Sequence, residues 1–114
     1  MVRRNMYIPD RGDVVWVSLD PVLGHEQSGR RPILVLSPSS YNEKAGLIFA
    51  VPITSKIKGY PFEVLFQIKE VSGAILADQA RAIDWKARKA RKIGEVPAGV
   101  ILSVQEKISS LIFD

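Results

Sequence analysis

A mainly β fold, a small antiparallel barrel with one C-terminal α-helix packed against it, is what this sequence predicts. Three observations carry the expectation. Short apolar, β-rich segments alternate with turn residues, the last stretch switches its apolar residues to helical spacing, and the 114 residues suffice for one domain spanning 1–114.

The first strand covers 12–20, GDVVWVSLD, and opens after a Pro-Asp-Arg-Gly turn signal. PVLGHEQSGRRP follows, a run of Gly, Pro and charged residues too long for a tight hairpin, and reads as a flexible loop. PILVLSP at 32–38 is a continuous apolar run bracketed by prolines, the pattern of a strand buried on both faces, and GLIFAVPIT at 46–54 repeats it. PFEVLFQI at 61–68 alternates, with Phe62, Val64, Phe66 and Ile68 on one face and Glu63, Leu65 and Gln67 on the other, as in a half-buried strand. GAILADQARAIDW at 73–85 mixes apolar and polar residues and reads either as strand throughout or as strand running into a helical turn. IGEVP at 93–97 is a further short strand. From Pro97, suited to a first helical turn, Val100, Ile101, Val104, Ile108, Leu111 and Ile112 recur at the spacing of one helical face. Burying every apolar strand in so short a chain leaves one sheet face or the terminal helix in want of a partner, which a twofold homodimer supplies.

Composition excludes several chemistries. With no cysteine there is no disulfide framework, thiolate nucleophile or Cys-ligated metal site, and the single histidine rules out a histidine-pair nuclease. No segment approaches the roughly 18 apolar residues of a membrane span, so a cytoplasmic protein is expected. The net charge of +4 and the sequence pI near 9.6 favour polyanionic partners. Arg81, Lys86, Arg88, Lys89, Arg91 and Lys92 cluster against Asp84 alone, either as a nucleic-acid contact or as a solvated charged face.

The strings GDVVWVSLDPVLGHEQSGRRPILVLSPSSYN, VPITSKIKGYPFEV and LADQARAIDW closely resemble the MazF/PemK toxins. The match runs in order over most of the chain. It includes the glycine before His25-Glu26-Gln27, the Gly-Arg-Arg-Pro lead-in to the buried strand and the Pro-Ile-Thr end of the next. The resemblance implies an SH3-like barrel, a homodimer, and an endoribonuclease that cleaves single-stranded mRNA when a ribose 2′-hydroxyl attacks its own phosphate, with no metal and no cofactor. It implies a catalytic pair, Arg31 and Thr54, with a contribution from the loop glutamate Glu26. It also implies an antitoxin whose acidic, flexible tail covers the basic RNA groove. His25, Gln27, Arg30, Lys56, Gln79, Arg81 and Lys86 are the expected RNA contacts.

Self-cleavage of RNA passes through a phosphorane more negative than the phosphodiester, so donors aimed at its oxygens stabilise the transition state preferentially. Arg31 offers a planar fork matched to phosphate oxygens, and Thr54 a neutral hydroxyl donor. Taken singly, Arg31 reads as a surface cation and Thr54 as a strand-end residue. Deprotonating an ordinary arginine at pH 7 costs at least about 7 kcal/mol, which leaves proton removal to Glu26 or His25. Gln79 either reads a base edge or satisfies backbone groups; Trp16 and Trp85 are expected in the core or a dimer interface rather than as stacking platforms. Two rival readings stay open: a non-catalytic RNA- or protein-binding barrel, and a gyrase poison of CcdB-like fold. The Leu-Ile-Phe-Asp end counts against the second.

Overall fold

The computed structural model describes residues 6–18 and 29–114. In chain order its elements are β1 (Asp13–Ser18), β2 (Arg30–Val35), α1 (Ser39–Ala45), β3 (Leu47–Thr54), β4 (Glu63–Gln67), β5 (Ser72–Leu76), a 3₁₀ turn (Ala77–Gln79), β6 (Arg81–Asp84), β7 (Arg91–Glu95) and α2 (Ala98–Phe113). The antiparallel sheet runs β4-β5-β3-β2-β1-β7, with β6 also on β3, and curls into a half-barrel.

Alternation along β2 and β3 builds two cores at once. Leu34, Val51 and Ile53 point to one side, where Val14, Val64, Phe66, Ile75 and Val104 complete a cluster under α2. Ile33, Val35, Ile48 and Ala50 point to the other, packing with Val15, Val17, Ile83 and Trp85. This is the two-faced burial expected of the two apolar runs, broken in β3 at Phe49, which is 41% exposed; the expected alternation of β4 holds, with Val64 and Phe66 buried and Leu65 exposed.

The mixed stretch 73–85 resolves into strand, turn and strand. β5 pairs with Ile53 and Thr54 of β3, and β6 pairs with Leu47–Ala50 on the same strand. The 3₁₀ turn carries the chain from one partner segment to the next, so neither single-strand periodicity nor helical periodicity governs it.

β2 begins at Arg30, two residues before the expected start, because Arg30 and Arg31 pair with Ser18 and Val17 of β1. α1 was not foreseen: SSYNEKA is seven residues between Pro38 and Gly46, too short for a period to register. Tertiary bonds supply what propensity lacks. Asp10 Oδ1 accepts the Ser39 N–H (2.8 Å), and the fully buried Asn42 donates to the Pro9 and Ser37 carbonyls while accepting the Ser37 hydroxyl proton. Gly46, in the left-handed region at φ 72°, closes the helix.

α2 starts at Ala98, with Pro97 just outside it as the N-cap instead of in its first turn. Val104 is fully buried and Val100, Ile101 and Ile108 pack on the core. The expected apolar face ends there, however, for Leu111 and Ile112 are 48% and 67% exposed, the last turn having run past the sheet. Among the described residues no helix is long and apolar enough to cross a membrane.

Candidate active site

The β2–β3 ladder runs from Val35–Ala50 to Ile33–Pro52 and stops. Proline supplies no ladder N–H, and Pro32 and Pro52 stand together at this point. Beyond it β2 stays with β1 while β3 continues with β5. A cleft opens between the two strand ends, and continuing the register by two residues sets Arg31 beside Thr54. Both border one hollow of about 550 Å³, with Trp16, Arg30, Ser55 and Lys56.

Two further hollows extend it. On the Arg31 side lies one of about 570 Å³, bordered by Arg31, Arg81, Arg88 and Gln79 over a floor of Ile33, Ala50 and Pro52. On the Thr54 side lies one of about 440 Å³, bordered by Thr54, Lys56, Tyr60, Asp78 and Gln79. Among the described residues no carboxylate borders the first two, and the charged side chains that do are all positive. The carboxylates of the third are Glu63 and Asp78. Glu63 is engaged by the Lys58 and Gly59 N–H groups (3.1 and 2.9 Å), which shapes the 55–62 connection.

Thr54 Oγ1 accepts the N–H of Lys56 at 3.1 Å. That bond uses an oxygen lone pair and leaves the hydroxyl hydrogen for another acceptor, fixing the side chain without consuming its donor. The Arg31 main chain is held in register opposite Val17, and its side chain is exposed at the cleft. An exposed guanidinium on an anchored main chain and a neutral O–H donor across a gap are donors of the kind that phosphate oxygens accept from.

Six expected contacts therefore meet along these hollows: Arg31, Thr54, Arg30, Lys56, Gln79 and Arg81. Lys86 does not line any of the three; its Nζ lies 5.4 Å over the Trp85 ring. His25, Glu26 and Gln27 fall outside the described residues. Trp85, 5% exposed and donating Nε1–H to the Asn42 carbonyl (2.9 Å), is a core residue, as expected. Trp16 is half-buried with the Arg30 guanidinium 6.0 Å over its ring.

The sequence reading missed Arg88 as a groove residue. Its guanidinium donates to the Ser18 carbonyl (2.9 Å), and its own carbonyl accepts the Ser18 N–H (3.0 Å). A turn closed by Arg88 N–H to Asp84 O and Ala90 N–H to Trp85 O, with Lys89 in the left-handed region at φ 55°, brings Arg88 to the same hollow as Arg81. The run is visible in the sequence; which of its members face inward depends on strand and turn geometry. Among the described residues, no cluster of three or more His, Cys, Asp or Glu side chains could hold a metal ion.

Residues 10–112 match the family model described as PemK-like, MazF-like toxin of type II toxin–antitoxin system. The chain is 48% identical over 106 residues to the endoribonuclease toxin MazF of Escherichia coli K12, covering 93% of this chain and 96% of that protein. It is 33% identical to the endoribonuclease PemK of Escherichia coli over 98% and 87% of the two. Among solved structures, MazF in a MazE–MazF crystal from Deinococcus radiodurans superposes with a TM-score of 0.85 at 45% identity over 95% of this chain and 98% of that one. A MazF crystal from the same organism gives 0.83 at 50% identity, over 94% and 98%. With the half-barrel, its C-terminal helix and the matched span in agreement, the chain belongs to the PemK-like, MazF-like family of type II toxins.

Proposed function

We infer that this protein is the endoribonuclease toxin of a toxin–antitoxin pair and that it cleaves single-stranded mRNA at short specific words without a metal ion. The observation that carries the reading is the cleft where the β2–β3 ladder stops, bordered by Arg31 and Thr54 together.

A scissile phosphate seated there meets the Arg31 fork on one side and the Thr54 hydroxyl on the other. As the 2′-oxygen bonds to phosphorus and the bond to the 5′-oxygen breaks, negative charge grows on the non-bridging oxygens. Both donors strengthen at that moment, which favours the transition state over the bound substrate. The 2′-hydroxyl proton passes to Glu26 or His25, and the departing 5′-oxygen takes up a proton. The products carry a 2′,3′-cyclic phosphate and a 5′-hydroxyl. Arg30, Lys56, Arg81 and Arg88 extend the positive track that holds the flanking phosphates.

A second copy of the chain completes the assembly. Leu102, Leu111, Ile112 and Phe113 leave apolar surface on α2 for such a contact. The cognate antitoxin, by the same charge logic, lays an acidic segment over the Arg31–Arg81–Arg88 side and competes with RNA in the cytoplasm.

The test is cleavage of a defined single-stranded transcript in excess EDTA, with end analysis. The expected products carry 2′,3′-cyclic or 3′-phosphates. A strict Mg²⁺ requirement or 3′-hydroxyl ends overturn the mechanism, and binding without cutting restores the non-catalytic barrel.

A further inference from the structure

Thr54 is the last residue of β3, and a strand end followed by a turn is a poor place to hold a hydroxyl to catalytic tolerance. What fixes it from behind is β5. Gly73 has φ +149°, a conformation that L side chains rarely adopt. A Cβ built on it runs into the Thr54 carbonyl oxygen and falls 3.1 Å from the Thr54 carbonyl carbon and 3.4 Å from the Ser55 Cα. The main chain of β5 thus lies directly against the Thr54–Ser55 peptide, closer than any side chain permits.

If a methyl group is forced in, the softer partner moves. β5 is paired along its whole length with β4, from Glu63–Leu76 to Gln67–Ser72, and Ala74 and Ile75 beside Gly73 are fully buried. β3 has no β2 partner beyond Pro52 and gives way to the Ser55–Lys56 turn after Thr54. The strand end gives way. Restoring ordinary contact shifts the Thr54 carbonyl by about 1 Å, and the turn whose Lys56 N–H binds Thr54 Oγ1 shifts with it.

We propose that Gly73 is a positioning residue for catalysis: its missing side chain lets β5 seat the Thr54–Ser55 peptide and so aims the Thr54 hydroxyl at the scissile phosphate. This rests on the reading of Thr54 as a phosphate-contacting donor. Misplacement of a reacting group by 1 Å costs on the order of 10²-fold in rate. Gly73→Ala therefore lowers kcat by roughly 10- to 100-fold while KM changes little, because the cationic contacts that bind RNA stay in place.

The experiment measures kcat and KM on a single-site oligoribonucleotide, with thermal unfolding recorded alongside, for Gly73→Ala, Thr54→Val, the double variant and Gly46→Ala. Gly46 also has positive φ, 72°, but a Cβ there meets nothing within 4 Å. Gly46→Ala is expected to lose stability and keep kcat, which separates backbone strain from the contact on Thr54. In the Thr54→Val background Gly73→Ala adds little, since its effect passes through the absent hydroxyl. Equal losses from Gly73→Ala in both backgrounds, or a loss seen only in KM, overturn the proposal. Full activity of Thr54→Val overturns the reading of Thr54 itself. If Gly73→Ala does not fold, the chain is synthesised with D-alanine at 73, whose methyl group replaces the opposite hydrogen and suits this φ. Retained kcat supports the proposal, and a folded but slow D-alanine chain sinks it.

Discussion

Arg31 divides two accounts of the chemistry. As a permanent cation on the phosphorane it has no proton to give at neutral pH, so the pH dependence of cleavage belongs to another group. Arg31→Lys then keeps part of the activity with an unaltered pH–rate profile, the loss reflecting a point charge in place of a fork. Glu26→Gln, or His25→Ala in the alternative, slows cleavage by about 10²- to 10⁴-fold with RNA binding nearly intact. A dead Arg31→Lys beside two fully active loop variants transfers the proton to a perturbed arginine. At this scale legibility was uneven. Arg31 and Thr54 could be picked out only by the strings around them, since nothing in an arginine or a threonine alone marks it. Gly73 and Arg88 were not legible, because a close approach and a turn direction exist only once strands 20 or more residues apart have paired.

Elements were more legible than residues wherever one period governed the whole segment. β2 and β4 have the burial their apolar spacing predicts, and β3 has it except at the exposed Phe49, for each keeps the same two faces throughout. The 73–85 stretch has no single period because it serves two segments of β3 in turn, and α1 depends on Asp10 and Pro9 from far upstream. The basic run shows how this bears on binding. Arg81 and Arg88 border the groove, whereas Lys86 sits over the Trp85 ring outside the three hollows. Arg81→Ala should thus weaken all single-stranded RNAs alike and reduce the slope of log affinity against log salt by about 0.7, while Lys86→Ala leaves the slope unchanged. Equal slope changes in salt titrations of the two variants refute this division and enlist the whole run as a phosphate track.

For the whole molecule, stability carries an acid-side signature. The Asp10 carboxyl is held below its ordinary value of 3.8, chiefly by the Ser39 N–H and next by that of Arg11. A depressed carboxylate contributes stability that is full above the unfolded value and disappears as pH falls through the folded one. Wild type and Asp10→Asn should therefore differ in urea midpoint at neutral pH and converge as the pH drops below 3.8; a gap that persists unchanged at lower pH refutes the role of the charge. On the alkaline side the Tyr7 phenol is pushed well above its usual range, by burial first and then by its bond to Asp13, which ties the segment before β1 to the sheet. That sheet joins strands far apart in the direction of synthesis. β1 emerges first, yet its second edge waits for β7, Asp13 pairing with Glu95, and its Val14 packs in the cluster that Val104 of α2 completes. Thr54 likewise waits for Ala74 before its strand end is held. Contacts so distant along the chain close late. A nascent polypeptide consequently has no framed cleft until the strands through β6 have been translated, since Ala74 holds the Thr54 strand end and Gln79 and Arg81 border the hollow.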